Sequence, residues 1–130
     1  MHIKKAVGIW MDHSKAFVVA TLDGSSTGEF NLIKKISTEH HESEQYKNEK
    51  VELSKSKLEL KKFFKEIEKE LNDESDIFIF GPGTAQEELK NHLNESHLFR
   101  DKNIVLGSSD HLHVNQIIAR VKEHFEGKQS

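Results

Sequence analysis

The stretch DIFIFGPGTAQEEL, residues 76–89, decides the fold of this chain. Its first five residues form an apolar run between turn signals, which is typical of a strand buried on both faces of a sheet. Two glycines flank Pro82 and let the chain turn sharply. Thr84 and Glu87 have the spacing of a capping box, in which each side chain bonds a free amide of the first helical turn. The sequence therefore predicts a buried strand, a tight turn and a helix from about residue 85 to 95.

Three strands of an antiparallel meander are predicted before this unit, at residues 5–11, 15–22 and 30–36. The first two are joined by an Asp-His-Ser sequence that favours a hairpin turn. In the third strand, apolar side chains alternate with polar ones, but Ile33 is out of phase. Residues 37–50 are polar and show no core-forming period, so we expect a mobile loop there.

Two further helices and one strand complete the pattern. Apolar residues at helical spacing predict helices from about Ser54 to Asn72 and from Val114 onwards, and a short strand is predicted at 103–106. The order βββαβαβα predicts an α/β fold with helices packed on a mixed sheet. Its antiparallel meander would be joined by two strands parallel to the first, reached by right-handed crossovers. This is the ribonuclease-H-like layout, and 130 residues fit one domain, 1–130.

The composition limits the classes of function. The chain has no cysteine, which excludes disulfides, thiolate zinc sites and a cysteine nucleophile, and fits a cytoplasmic protein. A net charge of -3 argues against a general nucleic-acid-binding surface, although it leaves room for a local basic patch. The longest apolar run, residues 6–11, is far shorter than the roughly 20 residues that span a bilayer. The N-terminus also lacks a signal-peptide pattern, so no membrane association is expected.

The turn at Gly81, Gly83 and Thr84 is the first candidate site. Free amides at a helix start hold anions such as backbone phosphates. However, the spacing matches neither a Walker loop nor a dinucleotide fingerprint. Glu87 and Glu88 would also repel an anion from the first turn of the helix. These observations favour a well-built strand-to-helix turn over an anion site.

Aspartates and histidines form the second candidate group. Asp12, His13, His40, His41, Asp110, His111 and His113 are the members. None of the histidines has the i, i+4 helical spacing of a metalloprotease, and adjacent residues of an extended segment point in opposite directions. We therefore expect polar surface residues, with Asp110 capping the last helix, and predict no metal, no cofactor and no catalytic residue.

Asp12 also invites comparison with nucleases of this layout, in which a first-strand aspartate holds magnesium. Two-metal chemistry needs further converging carboxylates. Asp76 begins its strand, at the opposite end of the sheet from Asp12 if the two strands are parallel. We therefore expect a turn role for Asp12. The lysine-rich helix near residues 55–69 alternates with glutamates, which mixed i, i+4 pairs on a solvated face explain.

Four segments carry a family resemblance over nearly the whole chain. They are residues 9–16 (IWMDHSKA), the His40–His41 pair, residues 79–89 (IFGPGTAQEEL), and Asp110 and His111 followed by Gln116. The segment 79–89 resembles the central domain of class-one peptide release factors and Pelota. All four together resemble small stand-alone bacterial proteins identified as translational machinery or release-factor-like proteins. The resemblance implies the ribonuclease-H-like fold and a link to ribosomes or translation.

Two departures from this resemblance bear on function. Release factors place a Gly-Gly-Gln loop between the third strand and the long helix, and this chain has no such triplet there, so peptide release by that chemistry is not expected. Close relatives often have lysine where this chain has Gln86, which removes one positive charge from the supposed anion-binding corner.

The leading hypothesis is a non-enzymatic, translation-associated module that binds the ribosome or RNA. It would use the 37–50 loop and the turns at Asp12, His13, Asp110 and His111, with Gln116 at the start of the last helix. One alternative is a metal-dependent hydrolase built from the same Asp and His residues. The other is a homo-oligomeric scaffold whose third strand pairs across a sheet edge.

Overall fold

The computed structural model describes residues 5–25, 28–38, 49–71 and 76–127. Within these ranges the chain forms five strands, three α-helices and one short 3₁₀ helix. Their bounds are β1 Lys5–Met11, β2 Lys15–Ser25, β3 Asn31–Ser37, α1 Glu49–Leu71, β4 Asp76–Phe80, α2 Ala85–Asn94, the 3₁₀ helix His97–Phe99, β5 Asn103–Leu106 and α3 Val114–Gly127.

The strands form one mixed sheet in the order β3-β2-β1-β4-β5. β1 pairs antiparallel with β2, and β2 with β3, which gives the expected meander. β4 lies parallel to β1, and β5 parallel to β4. The predicted α/β sheet is therefore confirmed, and the carboxyl ends of β1, β4 and β5 lie along one edge.

Each face of the sheet has its own apolar core, because alternate residues of a strand point to opposite faces. The first face packs against α1 and α2 through side chains such as Ile9, Ile79, Ile67 and Leu89. The second face packs against α3; its buried members are Ala6, Trp10, Val19, Phe30, Phe78, Phe80, Ile117, Val121 and Phe125. β4 is thus buried on both faces, as its unbroken apolar run predicts.

Ile33, the residue out of phase in β3, marks a β-bulge. Val18 pairs with Lys34 whereas Val19 pairs with Leu32, so Ile33 has no partner across the ladder. Its side chain is 48% exposed. The extra residue moves Ile36 to the first face, although Leu32 points to the second.

Several details differ from the sequence predictions. α1 begins at Glu49, five residues before the predicted start, within the segment 37–50 expected to be a loop; residues 39–48 of that segment lie outside the described residues. β2 continues to Ser25 through an irregular register with β1. Thr84 precedes α2 but makes no side-chain capping bond, so the predicted capping box with Glu87 is wrong. The backbone carbonyl of Thr84 instead accepts from the amides of Glu87 and Glu88.

The start of α3 is also capped differently from the prediction. The amide of His113 donates to Oε1 of Gln116 at 2.9 Å, and its carbonyl accepts from the amide of Ile117. His113 is therefore the capping position, and Asp110 is not. Gln116 supplies the reciprocal bond that the third helical residue gives in a capping box.

Candidate functional site

Most of the residues singled out from the sequence lie at the carboxyl edge of the three parallel strands. Asp12 and His13 follow β1, the turn Gly81–Thr84 follows β4, and the loop 107–113 follows β5. In open α/β sheets this edge is where ligand-binding loops gather. The described part of the chain therefore places three of the candidate segments side by side.

The turn after β1 is held by the Asp12 carboxylate. Its Oδ1 accepts from the amides of Ser14 at 2.7 Å and Lys15 at 2.8 Å, and the Asp12 amide donates to the Lys15 carbonyl at 3.0 Å. His13 points outward and pairs through Nε2 with the carboxylate of Glu88 on α2. Asp12 thus has the expected turn role, and His13 links the hairpin to α2.

Gly81 is required by the close approach of β1. A Cβ at this position would lie 2.0 Å from the carbonyl oxygen of Met11, a backbone atom of β1, which is paired with β2 on one side and β4 on the other. The Gly81 carbonyl accepts from the amide of Ser109 at 3.1 Å. The turn thereby joins the ends of all three parallel strands.

Gln86 is a buried part of this junction, only 4% exposed. Its Nε2 donates to the carbonyls of Gly81 at 3.1 Å and Gly107 at 3.2 Å. The side chain thus points inward to two backbone carbonyls, which gives Gln86 a structural role in the turn.

The start of α2 is poorly suited to an anion. Glu88 is half-buried beside the turn, with its Oε2 bound to His13 and 3.5 Å from Oγ1 of Thr84. Gly83 has a φ of 73° and open space around it. The negative charge of this carboxylate therefore disfavours a phosphate at the start of α2.

Trp10, the single tryptophan, organises the third loop. Its Nε1 donates to Oγ of Ser109 at 3.1 Å and to the carbonyl of Asp110 at 3.3 Å. The ring of His111 lies against the indole, with centroids 5.6 Å apart. The side chains of Asp110 and His111 are both exposed.

A row of aromatic and basic side chains crosses the second face near this edge, and we call it the aromatic-basic row. In register order it contains Lys35, Phe17 and Trp10, with Lys15 and His111 beside them. Lys15 Nζ lies 5.9 Å from the Trp10 ring centroid, and Lys35 Nζ lies 5.5 Å from that of Phe17. The two rings are themselves 5.7 Å apart. Each of the two rings thus makes a cation–π contact with a lysine ammonium group.

Sequence reasoning missed this row. Lys35 is distant from Phe17 along the chain and becomes its direct neighbour only through the register of β2 with β3. Part of the signal is visible in the sequence, since Lys15 and Phe17 alternate on one strand and share a face.

Other candidates are not brought together. Asp76 pairs with Ala6 at the beginning of β1, so it lies at the opposite end of the sheet from Asp12. Among residues 5–25, 28–38, 49–71 and 76–127, no three His, Asp or Glu side chains converge as metal ligands. His40 and His41 lie outside the described residues. In the same ranges, no helix has the length and apolar character to cross a membrane.

Comparisons with known proteins bear on the fold. The sequence matches no protein-family profile and no curated protein. The structure is similar to that of Pelota from Archaeoglobus fulgidus, with a TM-score of 0.61 and 16% identity over 98% of this chain and 35% of that one. It is also similar to that of Pelota from Thermoplasma acidophilum, with a TM-score of 0.53 and 16% identity over 97% of this chain and 40% of that one. The chain thus spans well under half the length of these Pelota proteins, and it has a Pelota-like mixed α/β fold.

Proposed function

We propose that this chain is a translation-associated module that binds the ribosome or RNA without catalysing peptide release. It would act as one cytoplasmic domain, 1–130, of the kind found in small bacterial release-factor-like proteins. The Pelota-like fold supports a role near translation. The candidate contacts are the aromatic-basic row and the neighbouring residues Asp12, His13, Gly81, Gly83, Thr84, Asp110, His111 and Gln116, together with His40 and His41.

The observation that carries this proposal is the position of Lys15 and Lys35 over adjacent rings. Their ammonium groups are held near the indole and the phenyl ring, so less side-chain entropy is lost when each meets a phosphate. His111 adds an exposed ring beside Trp10, which suits stacking with an unpaired base. The net charge of -3 argues against a general nucleic-acid-binding surface, so the proposal is limited to this local patch.

The test is co-sedimentation with purified ribosomes at low salt, together with the affinity for a fluorescent single-stranded RNA. The double variant Lys15→Ala, Lys35→Ala should bind roughly tenfold or more weakly. A plot of the logarithm of the association constant against the logarithm of the salt concentration has a negative slope. That slope should become shallower by about 0.7 for each phosphate that the variant no longer neutralises.

The matched control is Lys61→Ala, Lys65→Ala, which removes the same charge from exposed positions of α1 on the other side of the sheet. It should bind as the wild type does. Absence of co-sedimentation at low salt, or equal loss of binding in both double variants, would contradict the proposal.

A further inference from the structure

The solvent-facing side of α1 carries lysines at a regular spacing. They repeat every four residues and so follow one ridge of the helix. We call this set the lysine row; its members are Lys57, Lys61, Lys65 and Lys69. All four side chains are exposed, whereas the opposite side of α1 is buried against the first face of the sheet. At 1.5 Å per residue, the row is about 18 Å long.

Carboxylates of α1 pair with residues of other elements and leave the lysine row unneutralised. Glu70 Oε1 lies 2.8 Å from Nζ of Lys34 on β3, and Glu68 Oε1 lies 3.5 Å from Nε2 of His92 on α2. These two carboxylates therefore face the flanks of the helix. Within the part of the chain that the structure describes, no carboxylate lies at ion-pair distance from a lysine of the row. The mixed i, i+4 pairs expected from the sequence are thus absent from it.

Such a row destabilises the helix that carries it. Like charges at i and i+4 repel, and the lysine row contains three such steps in succession. An anionic partner would offset this repulsion. Leu58 lies three residues before Lys61 and hence on the same side of the helix, and its side chain is 58% exposed. The surface therefore combines a line of positive charge with one apolar contact near its N-terminal end.

We propose that the lysine row binds an acidic α-helix of a partner protein, with carboxylate side chains that repeat at the same i, i+4 spacing. Four residues of any α-helix rise by about 6 Å, so successive lysines meet successive carboxylates when the two helices lie side by side. Leu58 contacts an apolar side chain near one end of the partner helix. Because exposed ion pairs each contribute little and are screened by salt, the complex is weak and salt-sensitive.

A nucleic-acid backbone is the other polyanion that lysines bind, and the flanks of α1 disfavour it. Glu68 on the α2 side and Glu70 on the β3 side border the row with negative charge. A duplex carries about one charge per 1.7 Å of its axis and is broader than an α-helix, so its phosphates would meet these carboxylates. The row also contains no arginine for bidentate phosphate contacts and no aromatic ring for base stacking. A single narrow helix fits this surface better.

The test is the fluorescence anisotropy of a labelled, alanine-based helical peptide with glutamate at every fourth position and one leucine, titrated with the full chain at low salt. The double variant Lys61→Ala, Lys65→Ala should bind this peptide roughly fivefold more weakly, as expected for the loss of two exposed ion pairs. Alanine preserves the helix, so the fold is retained. The matched control Arg120→Ala, Lys122→Ala removes the same charge from exposed positions of α3 and should bind as the wild type does.

A second peptide tests the spacing. It has the same composition, but its glutamates are distributed around the helix, and the wild type should bind it more weakly. Equal affinity for the two peptides, or equal loss in both double variants, would reduce the effect to general attraction of opposite charges and overturn the proposal. Binding of duplex RNA that is lost in Lys61→Ala, Lys65→Ala would also overturn it. The Lys15→Ala, Lys35→Ala variant should bind the peptide as the wild type does, so this proposal and the proposed function fail independently.

Discussion

Gly8 and Val121 touch where α3 crosses the central strand. A Cβ on Gly8 would lie 2.3 Å from Cγ2 of Val121 and 2.9 Å from its Cβ. Gly8→Ala should therefore force α3 away from the sheet and lower the free energy of unfolding by about 1–3 kcal/mol. Urea denaturation measures the loss.

The matching experiment is a double-mutant cycle with Val121→Ala, which removes the two nearest methyl groups. The cost of Gly8→Ala should be smaller in that background, because the remaining contact is with Cβ alone. Strict additivity of the two losses would mean that the clash is not the cause.

Gly81 and Gly83 should respond very differently to the same substitution. Gly81→Ala would place a methyl group 2.0 Å from a backbone oxygen of β1, so a loss of about 3 kcal/mol or more is expected. Gly83 has open space but a φ of 73°, so alanine there costs only the strain of the left-handed region, about 1–2 kcal/mol. Thermal and urea unfolding of both variants give the comparison, and equal losses would contradict it.

Gln86 should matter for stability through its two donated hydrogen bonds. Gln86→Met keeps the volume but leaves the Gly107 carbonyl without this donor, and should cost about 1–3 kcal/mol. Gln86→Glu places an ionised carboxylate, which can only accept, next to two carbonyl oxygens that also accept. The loss of stability should therefore be larger at neutral pH than at pH ~4, where a protonated carboxyl can donate. A loss for the Glu variant that does not change with pH would argue against this arrangement.

The pair formed by Lys34 and Glu70 gives a pH-dependent signature. Its Nζ–Oε1 distance is 2.8 Å, and the hydrogen bond and charge of Glu70 raise the pKa of Lys34 above its ordinary value of 10.5. A raised pKa means that the stabilisation is complete below 10.5 and is lost as the pH rises through the folded-state value. Glu70→Gln should lower the pKa of Lys34 in an NMR titration of its side chain. It should also flatten the fall in stability in that alkaline range, and an unchanged titration would disprove the coupling.

The sheet could be predicted because its signals are local. The apolar run of β4, the flanking turn and the helical stripes each depend on residues close in sequence, and together they specify the order and direction of the strands. The parallel direction of β1 and β4 follows from that order, and it also predicts that Asp12 and Asp76 lie at opposite ends of the sheet, as they do.

Details of the site were less accessible because they depend on competition between partners. Thr84 has the right type and spacing for a cap, yet its side chain lies beside the Glu88 carboxylate. That carboxylate also pairs with His13. Gln116 has a place in the binding signature suggested by the sequence, and the bond that it accepts from the His113 amide is a capping bond. A sequence motif therefore shows which side chains could form a hydrogen bond, but it does not show which of several nearby groups becomes the partner.

The bulge at Ile33 has a consequence for how β3 tolerates changes in length. With it, Lys34 reaches Glu70 on one side of the sheet and Lys35 reaches Phe17 on the other. Removal of Ile33 would restore strict alternation and keep both lysines on their present sides. Removal of Lys34 would instead bring Ile33 opposite Val18 and eliminate the ion pair with Glu70. A one-residue deletion at Ile33 is therefore the indel that this strand absorbs most readily.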